Sequence, residues 1–383
     1  MKIFDRHTIH EYPLSELKTT DDFLVYHYFH ALITQGTKQF FQNVDSEVLL
    51  AQVGQRPISV TLSFTPENCY VCSPYAHYIT YALAEVSALN RPRLQALLRL
   101  LIMPLAWTLQ WGKIDHVVYI NNWFLSTNLY EEIPPADYLE LITTIKQRFP
   151  DRAILFRSLN DYTPVSRELL KTLKSLPELG QQLVLSRQVY ITDPAHPHYR
   201  RKKDFKSDLK LLQQTPYKVV HGRDLAPEDY PRIIELYHKL YLQKYTPLNP
   251  QFTPELLRLM IEQDLFTVKV LKLGPRIDGV LGYYQRGGVM TTPLFGFDTD
   301  LPAETGLYRL LSTLLVLDSE EKKIILNQSS GASGFKRTRG ARPHLEYTLV
   351  LAGHLPWWRR WVWHGLRILL KAIAVPLLQK LQL

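Results

Sequence analysis

The sequence contains little cysteine: Cys69 and Cys72 are the only two among 383 residues. A chain of this length buries a sizeable core, so a small domain stapled by disulfides or metal is excluded. The C-x-x-C spacing also occurs at zinc and redox sites, but a zinc site needs a second pair of ligands, and no H-x₃₋₅-H supplies one nearby. We therefore predict two structural thiols in a reducing compartment and no metal site.

Several targeting and catalytic motifs are also absent. Residues 1–16 carry charges throughout and no apolar segment, which excludes a secretory signal there and predicts a cytoplasmic protein. The sequence has no G-x-S-x-G motif and no cysteine–histidine pairing, which argues against a covalent acyl-enzyme. The composition is otherwise that of an ordinary globular protein, with 46% apolar and 21% charged residues. Its length predicts two or three domains.

The net charge of +9 is concentrated in two short segments. Residues 195–210 carry six basic and two acidic residues, and residues 354–383 carry five basic residues and no acidic one. Together the two segments account for the whole excess. This distribution excludes a uniformly basic nucleic-acid coat protein and leaves two local positive features to explain.

Alternating hydrophobic patterns predict a mixed α/β protein. In the first half we expect helices over 20–36, 76–88, 92–112, 136–148 and 164–176, and strands over 48–64, 67–72, 116–120, 152–157 and 182–192. Two prolines within 193–198 predict a hinge. In the second half we expect a charged helix over 200–213, helices over 229–243, 254–263, 306–322 and 335–339, and strands over 217–221, 266–273, 278–286, 289–297, 324–327 and 346–351.

A motif near the end of the second half is more specific than the element order. It reads Asn327-Gln-Ser-Ser-Gly331-Ala-Ser-Gly-Phe335-Lys336-Arg-Thr-Arg-Gly340: a strand, a glycine-rich loop and F-K-x-x-x-G. It resembles the closing motif of Fem-type and related acetyltransferase-like proteins, which carry two GNAT-like halves in tandem. Gly306-Leu-Tyr-Arg-Leu-Leu is similar to the start of their helix on the acyl-donor side. The resemblance extends over about 200–352 and is only architectural over 1–192.

The resemblance implies an α/β fold with mixed sheets and two tandem GNAT-like domains. We place the N-terminal domain at 1–192, a hinge at 193–199, the C-terminal catalytic domain at 200–353 and a C-terminal amphipathic helix at 354–383. The implied reaction is the attack of an amine on an activated thioester or ester. Such a reaction needs orientation, a proton acceptor and donors for the oxyanion.

Four residues of the second half are candidates for binding the donor. Lys336 and Arg337 of the closing motif are placed to neutralise a phosphate or carboxylate, although charges on a short helix often simply face solvent. Asn327, at a strand end, is expected to face the substrate or to form a turn. Gly306 opens a helix whose free N–H groups suit a phosphate, or it only lets that helix pack closely.

Proton transfer is less well determined by the sequence. Asp298, at the end of the 289–297 strand, and His238 are candidates for the base, and Tyr308 is a candidate for protonating the leaving group. No spacing rule selects any of the three, and structural roles explain Asp298 and His238 equally simply.

Polar side chains follow two neighbouring strands of the first half. Asn122 and Asn128 follow the strand at 116–120, and Arg157 ends the strand at 152–157. Side chains at adjacent strand ends converge on one place, so we predict that they form the wall of an acceptor pocket. Alternatively, these residues only cap loops and form turn hydrogen bonds.

The C-terminal segment combines tryptophan with positive charge. Four of the seven tryptophans lie within residues 357–363, and one polar stripe is formed by Arg360, His364, Arg367 and Lys371. This pattern is typical of a helix lying in a membrane interface. The predicted membrane contacts are Trp357, Trp358, Trp361, Arg367 and Lys371. Charges at 367 and 371 and Pro376 oppose a membrane-spanning helix.

Each of two apolar segments also has a second interpretation. In the second interpretation, the C-terminal helix belongs to the packed body of the protein or to a contact with a second copy. In that case, removing the residues after Leu351 would lower stability, whereas an interfacial helix predicts a fold that survives the cut. Residues 97–111, rich in Leu and Trp, either contribute to the same membrane surface or form a buried core helix.

The sequence therefore predicts an acyltransferase that is peripheral on the inner face of the membrane. It has no tightly bound cofactor, and its donor is an acyl thioester, either acyl-CoA or an acyl-carrier protein. The absence of an R/Q-x-x-G-x-G/A pyrophosphate loop argues against coenzyme A. The predicted acceptor is an amine on a lipid-like or carrier-held molecule, and an anionic membrane surface is the predicted partner. One alternative is an aminoacyl-tRNA-dependent transferase in which the 200–210 basic segment contacts tRNA. Another is a non-enzymatic membrane scaffold with a degenerate GNAT pair.

Overall fold

A computed structural model describes residues 1–63, 68–87, 91–175, 179–376 and 378. The strands are β1 Lys2–Phe4, β2 Glu47–Val53, β3 Arg56–Ser63, β4 Val117–Ile120, β5 Ala153–Leu159, β6 Gln181–Thr192, β7 Lys218–His221, β8 Thr267–Leu273, β9 Arg276–Arg286, β10 Val289–Phe297, β11 Ile325–Asn327 and β12 Arg342–Leu351. The α-helices are α1 Thr20–Gln35, α2 Tyr81–Ser87, α3 Pro92–Trp111, α4 Pro135–Arg148, α5 Pro164–Lys174, α6 Lys203–Gln214, α7 Tyr230–His238, α8 Pro254–Glu262, α9 Leu307–Lys322, α10 Ser333–Thr338 and α11 Trp357–Leu369.

The two halves of the chain repeat one pattern of strand pairing. In the first half, β1 to β4 pair antiparallel in sequence order, β5 runs parallel to β4, and β12 pairs antiparallel with β5. In the second half, β7 to β10 pair antiparallel, β11 runs parallel to β10, and β6 pairs antiparallel with β11. The described strands thus form two copies of one six-stranded unit, as tandem domains require.

The innermost strands are exchanged between the halves. β6, the last strand of the first half, completes the sheet of the second half, and β12 completes the sheet of the first. β6 and β12 also pair antiparallel with each other, from Arg342 opposite Ile191 to Leu351 opposite Gln181. All described strands therefore belong to one continuous sheet, and the predicted domain limits at 192 and 200 stay a prediction.

The halves also share a hydrophobic core. One cluster of buried residues contains Tyr28, Phe41 and Trp123 of the first half together with Tyr237 and Phe252 of the second. The rings of Phe41 and Phe252 lie 5.6 Å apart, and those of Tyr28 and Trp123 stack at 4.9 Å. Because much apolar area is buried between the halves, we expect them to unfold cooperatively.

Local sequence signals explain several element boundaries. α1 begins with a capping box, in which Thr19 accepts a hydrogen bond from the Asp22 amide and the Asp22 carboxylate accepts one from the Thr19 amide. Gly287 and Gly288 join β9 and β10, and both have positive φ, as a tight hairpin requires. The hairpin prediction is confirmed.

The predicted strand at 67–72 is wrong over the residues that the structure describes. Residues 68–72 form turns, and the Tyr70 amide donates a hydrogen bond to the carbonyl oxygen of Leu248 in the second half. Cys69, Tyr70 and Val71 belong to the core that the halves share. The apolar run therefore reflects burial in a loop between the halves, which periodicity cannot distinguish from a strand. Glu67, the first residue of this predicted strand, lies outside the described residues, as do Phe64, Ala88 and Leu176, which end other predicted elements.

The close approach of the central strands gives a test of this fold. Gly180 lies directly before β6 with φ of +57°, and a Cβ atom there would lie 2.4 Å from the Cα of Gly353. We expect Gly180→Ala to lower the free energy of unfolding by about 1–3 kcal/mol through overpacking, measured as a lower Tm. Gly365→Ala is the control, because nothing lies within 4 Å of a Cβ atom at that position. Equal Tm values for the two variants would contradict the central packing.

Candidate functional site

The sheet opens where the parallel strands of the second half diverge. β10 and β11 pair only from Val289 opposite Ile325 to Thr291 opposite Asn327. β10 then continues to Phe297, whereas β11 ends, and the glycine-rich loop 328–332 follows it. α10 begins directly after this loop. The predicted donor-side residues Asn327, Lys336 and Arg337 therefore lie in the segment that borders the opening.

Lys336 holds the glycine-rich loop in place. Its Nζ atom donates hydrogen bonds to the carbonyl oxygens of Gln328, at 2.7 Å, Ser330, at 2.8 Å, and Ser329, at 3.3 Å. The side chain is buried, and its Nζ lies 5.7 Å from the centre of the Tyr190 ring. Burial and the nearby Arg187 lower the pKa of Lys336 to about 7. The three carbonyl oxygens oppose this shift, since they match the three hydrogens of an ammonium group.

Arg187 on β6 and Glu346 on β12 form a buried ion pair at the join of the halves. Arg187 Nε donates to Glu346 Oε1 at 2.7 Å, and Nη2 donates to the Ser126 carbonyl at 2.5 Å and the Thr127 hydroxyl at 3.0 Å. Burial acts against the charge on Arg187, but the Glu346 carboxylate raises its pKa above the ordinary value. The second oxygen, Glu346 Oε2, is buried and has no hydrogen-bond partner among the described residues.

A group of tyrosines from both halves lies on one side of this ion pair, with Tyr70, Tyr81 and Tyr241 nearest to Arg187. We call them the tyrosine cleft: Tyr70, Tyr81, Tyr241, Tyr245 and Tyr308. The rings of Tyr70 and Tyr81 lie 6.0 Å apart, those of Tyr241 and Tyr245 lie 6.1 Å apart, and Tyr241 also interacts with Tyr308 and Arg187. Tyr245 is 49% exposed, Tyr81, Tyr241 and Tyr308 are half-buried, and Tyr70 is buried. The set therefore runs from the exposed Tyr245 to the buried Tyr70, which lies beside Arg187.

The tyrosines of the cleft and the nearby His77 have strongly shifted pKa values. Burial raises the pKa of Tyr241 and Tyr308 well above the ordinary value and that of Tyr81 to about 12, so all three hydroxyls are protonated at neutral pH. Burial, Arg157 and Arg187 lower the pKa of His77 to about 3, so its imidazole is neutral. The cleft thus offers neutral hydrogen-bond donors beside positive charge, an arrangement that favours a developing negative charge.

Asp298 and His238 do not lie in the cleft. Asp298 accepts hydrogen bonds from Arg232, at 2.6 Å, and Lys239, at 2.9 Å. Burial raises the pKa of Asp298, but the two cations more than offset this effect and lower the pKa to about 2. The carboxylate is therefore a weak base. The His238 ring lies 3.0 Å from the Phe252 carbonyl oxygen, and burial lowers its pKa. These contacts favour structural roles, and the catalytic roles of Asp298 and His238 stay predictions. Tyr308, in contrast, belongs to the tyrosine cleft.

Gly306 is explained by packing. It has φ of +70°, and a Cβ atom there would lie 2.6 Å from Leu211 Cδ2 on α6. Both features favour glycine, without any ligand at the start of α9. The proposed phosphate contact at Gly306 stays a prediction.

The polar residues of the first half form a connected network. Arg157 donates to Asn122 Oδ1 at 2.8 Å, and Asn122 donates to the Val71 carbonyl at 3.1 Å. Asn128 lines a small cavity of about 10 Å³ together with Asn327 of the second half, room for one water molecule. The side-chain nitrogen of Asn128, Nδ2, is buried and has no hydrogen-bond partner among the described residues. The predicted residues Asn128 and Asn327 thus meet, but not in a substrate-sized pocket.

Sequence reasoning missed Arg187, Glu346, Tyr70 and Tyr241. The signal for the ion pair was one charge of each sign inside two predicted strands, at Arg187 and Glu346. Their contact depends on the exchange of β6 and β12, which no local pattern reveals.

The described residues contain no group of three or more His, Cys, Asp and Glu side chains arranged to hold a metal ion. Cys69 and Cys72, both buried, form no disulfide. No described helix is both long enough and apolar enough to cross a membrane.

The C-terminal helix is packed on the body of the protein. Val362, Trp363 and Leu366 are buried against the core. Arg359 is one of the five basic residues of the C-terminal segment. It is buried and donates hydrogen bonds to the carbonyl oxygens of Gly112, Lys113, His116 and Asp151. It is therefore not available to a membrane. Lys380 lies outside the described residues.

The protein is similar to known proteins in structure rather than in sequence. No family model matches the sequence, and no curated protein matches it significantly. The crystal structure of FemX is 8% identical, with a TM-score of 0.50, over 92% of this chain and 97% of the FemX chain. The chain has a Fem-type tandem GNAT fold. The predicted resemblance and the tandem fold class are thereby confirmed, while the interfacial role of the C-terminal helix stays a prediction.

Two further structures overlap with this fold at lower similarity. A conserved protein of unknown function from Bacteroides thetaiotaomicron is 11% identical over 91% of this chain and 96% of its own, with a TM-score of 0.45. L-PGS from Bacillus licheniformis is 14% identical over 56% of this chain and 72% of its own, with a TM-score of 0.42. Neither supports an argument about the function of this protein.

Proposed function

We propose that this protein transfers an acyl or aminoacyl group from an activated thioester or ester to an amine. The observation that carries the proposal is the position of the loop 328–332. Lys336 fixes this loop where β10 and β11 diverge, and Arg187, which acts on Lys336, also acts on Tyr241 of the tyrosine cleft. The Fem-type tandem fold supports the same conclusion, because each half has a parallel strand pair at the corresponding place in its sheet.

The reaction needs only groups of the tyrosine cleft and of the charged residues beside it. The amine nitrogen attacks the carbonyl carbon of the donor, a C–N bond forms, and the C–S or C–O bond to the leaving group breaks. Glu346 Oε2 is the proposed acceptor of the proton that the amine loses, and the Tyr308 hydroxyl is the proposed donor of a proton to the leaving group. Arg187 and Lys336 supply positive charge near the oxyanion.

The donor is to be identified by direct assay. Purified protein is analysed by mass spectrometry for thioesters, nucleotides and lipids that remain bound, and is then incubated with labelled acyl-CoA, acylated carrier protein or aminoacyl-tRNA and a set of amines. Formation of a labelled amide with one donor class supports the proposal. No amide with any of the three, from protein that still binds vesicles, would instead favour the membrane scaffold.

An aminoacyl-tRNA donor is the second candidate, and it rests on the basic segment before and along α6. Arg201, Lys202 and Lys203 are exposed, whereas Arg200 pairs with Glu320. Exposed cations that neutralise phosphates release counterions, so binding weakens steeply with salt.

We therefore predict the effect of replacing Arg201, Lys202 and Lys203 with Gln. With a tRNA donor, the slope of log affinity against log salt should flatten by about one for each phosphate that is no longer neutralised, measured by fluorescence anisotropy. Lys171→Gln with Lys174→Gln, on exposed positions of α5, is the matched control. An unchanged slope would show that the segment is a solvated surface.

The acceptor is proposed to be an amine on a lipid-like or carrier-held molecule at an anionic membrane surface. The support is the tryptophan-rich α11, which keeps Trp357 and Trp361 more than half exposed although it packs on the body. Such a helix holds a peripheral protein at a bilayer.

A further inference from the structure

α3 is an apolar helix that the protein leaves largely uncovered. Ala106 and Leu109 are its only buried residues. Five large apolar side chains are between 54% and 70% exposed: Leu97, Leu100, Leu101, Trp107 and Trp111. An exposed apolar surface of this kind on a soluble body marks a site of interaction.

α11 packs beside α3 and continues the same surface. The rings of Trp111 and Trp358 lie 4.8 Å apart, and Val362 fills the space over Gly112 directly after α3. The buried sides of both helices belong to one hydrophobic cluster. Further exposed apolar side chains, between 50% and 65%, are Trp357, Trp361 and Ile368 on α11 and Ile373 just beyond it.

The charges on the two helices have one sign. No Asp or Glu occurs in residues 91–112 or 356–376, and the basic residues there, apart from the buried Arg359, are Arg91, Arg93, Arg99, Arg360, Arg367 and Lys371. A second copy of this chain related by a two-fold axis would bring these cations towards one another, which is unfavourable. An anionic lipid surface complements both the charge and the exposed tryptophans.

We infer that α3 and α11 together form a membrane-docking surface, and that α3 inserts its leucines between the headgroups of an anionic bilayer. This inference rests on the proposed peripheral location of the protein and adds the insertion element, a helix that precedes the C-terminal segment by more than 240 residues in sequence. It does not depend on catalysis. It also accounts for Trp107 and Trp111, because tryptophan prefers the boundary between headgroups and acyl chains.

The test is flotation of the full-length protein with vesicles of phosphatidylglycerol and phosphatidylcholine or of phosphatidylcholine alone. The double variant Leu100→Glu with Leu101→Glu is expected to lower affinity for the anionic vesicles at least tenfold, because carboxylates replace the inserted side chains. Leu139→Glu, at an exposed leucine of α4, is the matched control and should bind as the wild type does. Wild-type affinity for phosphatidylcholine alone should be much weaker.

Two results would contradict the docking surface, and a third would separate it from the proposed function. Wild-type affinity in the double variant, with a Tm equal to that of the control, would overturn the inference. So would a wild-type dimer that the double variant converts to a monomer, without vesicle binding by either. If the wild type binds anionic vesicles through Leu100 and Leu101 but transfers no acyl group to any soluble amine, the proposed function fails and the docking surface stands.

Discussion

Truncation of the chain after Leu351 is expected to lower the Tm by more than ten degrees or to cause aggregation. The cut removes Val362, Trp363 and Leu366, which are buried against Ile114, Val117 and the rest of one hydrophobic cluster. Burial of each such side chain contributes about 1.5–3 kcal/mol. Since the whole free energy of unfolding of a domain is only about 5–15 kcal/mol, the loss is comparable to the total.

The buried Arg359 adds to this effect. Its guanidinium donates to four backbone carbonyl groups at residues 112, 113, 116 and 151, and the truncation leaves these carbonyls without their partner. A buried acceptor without a partner costs about 1–3 kcal/mol. The expectation from the sequence that the fold survives the cut is therefore replaced by its alternative, a C-terminal helix that stabilises the body.

A second variant separates docking on the body from binding to the membrane. Trp357→Ser with Trp361→Ser changes two tryptophans that are about two-thirds exposed, so the Tm should stay close to that of the wild type. Vesicle binding by this variant should fall. Thermal unfolding followed by circular dichroism checks the Tm, and flotation with the anionic vesicles checks the binding. A truncated protein that melts as the wild type does would contradict the packing of α11.

The elements of the second half were largely predictable from local sequence. The Gly287-Gly288 hairpin, the F-K-x-x-x-G motif and the long apolar patterns depend on residues close together in the chain, and local chemistry decides their structure. Lys336 could be singled out for the same reason. Its partners could not, because its three carbonyl acceptors become apparent only once the loop 328–332 is folded over it.

The centre of the site was beyond sequence reasoning for a different reason. Arg187 and Glu346 are 159 positions apart and meet only because β6 and β12 are exchanged between the halves. The surroundings of Asp298 are another feature that the sequence does not reveal. A carboxylate at a strand end is a reasonable candidate base, but Arg232 on α7 and Lys239 just beyond it neutralise the carboxylate in the folded protein.

Replacement of Lys336 is expected to have the largest effect on turnover. Lys336→Met keeps the apolar stem and removes the hydrogen bonds to residues 328–330, so the glycine-rich loop loses its fixed position beside the cleft. A hydrogen bond from a charged group contributes about 1.5–3 kcal/mol, which corresponds to a decrease in kcat of roughly tenfold to 150-fold. Stability should fall less, because the loop is partly exposed and water can replace the lost donors.

Two controls show whether Lys336 acts through the loop. Gln328→Ala changes a loop side chain but keeps the backbone carbonyl that Lys336 binds, so its kcat should stay near that of the wild type. Arg337→Gln removes the neighbouring charge and tests whether charge alone explains the effect. Full activity in Lys336→Met, with a normal Tm, would place the site elsewhere.

The pH dependence of stability gives an independent test of the same residue. The pKa of Lys336 in the folded protein is lowered to about 7, against 10.5 for an ordinary lysine. Between these values the unfolded chain binds more protons at this position than the folded chain does, so the contribution of Lys336 to the free energy of unfolding rises with pH. Wild-type stability relative to Lys336→Met should therefore increase from about pH 7 to 10, measured by urea unfolding at several pH values. Turnover should change in the opposite sense, because a neutral amine has two hydrogens and cannot keep all three carbonyl contacts. A constant difference in stability across this range would show that Lys336 titrates as an ordinary lysine.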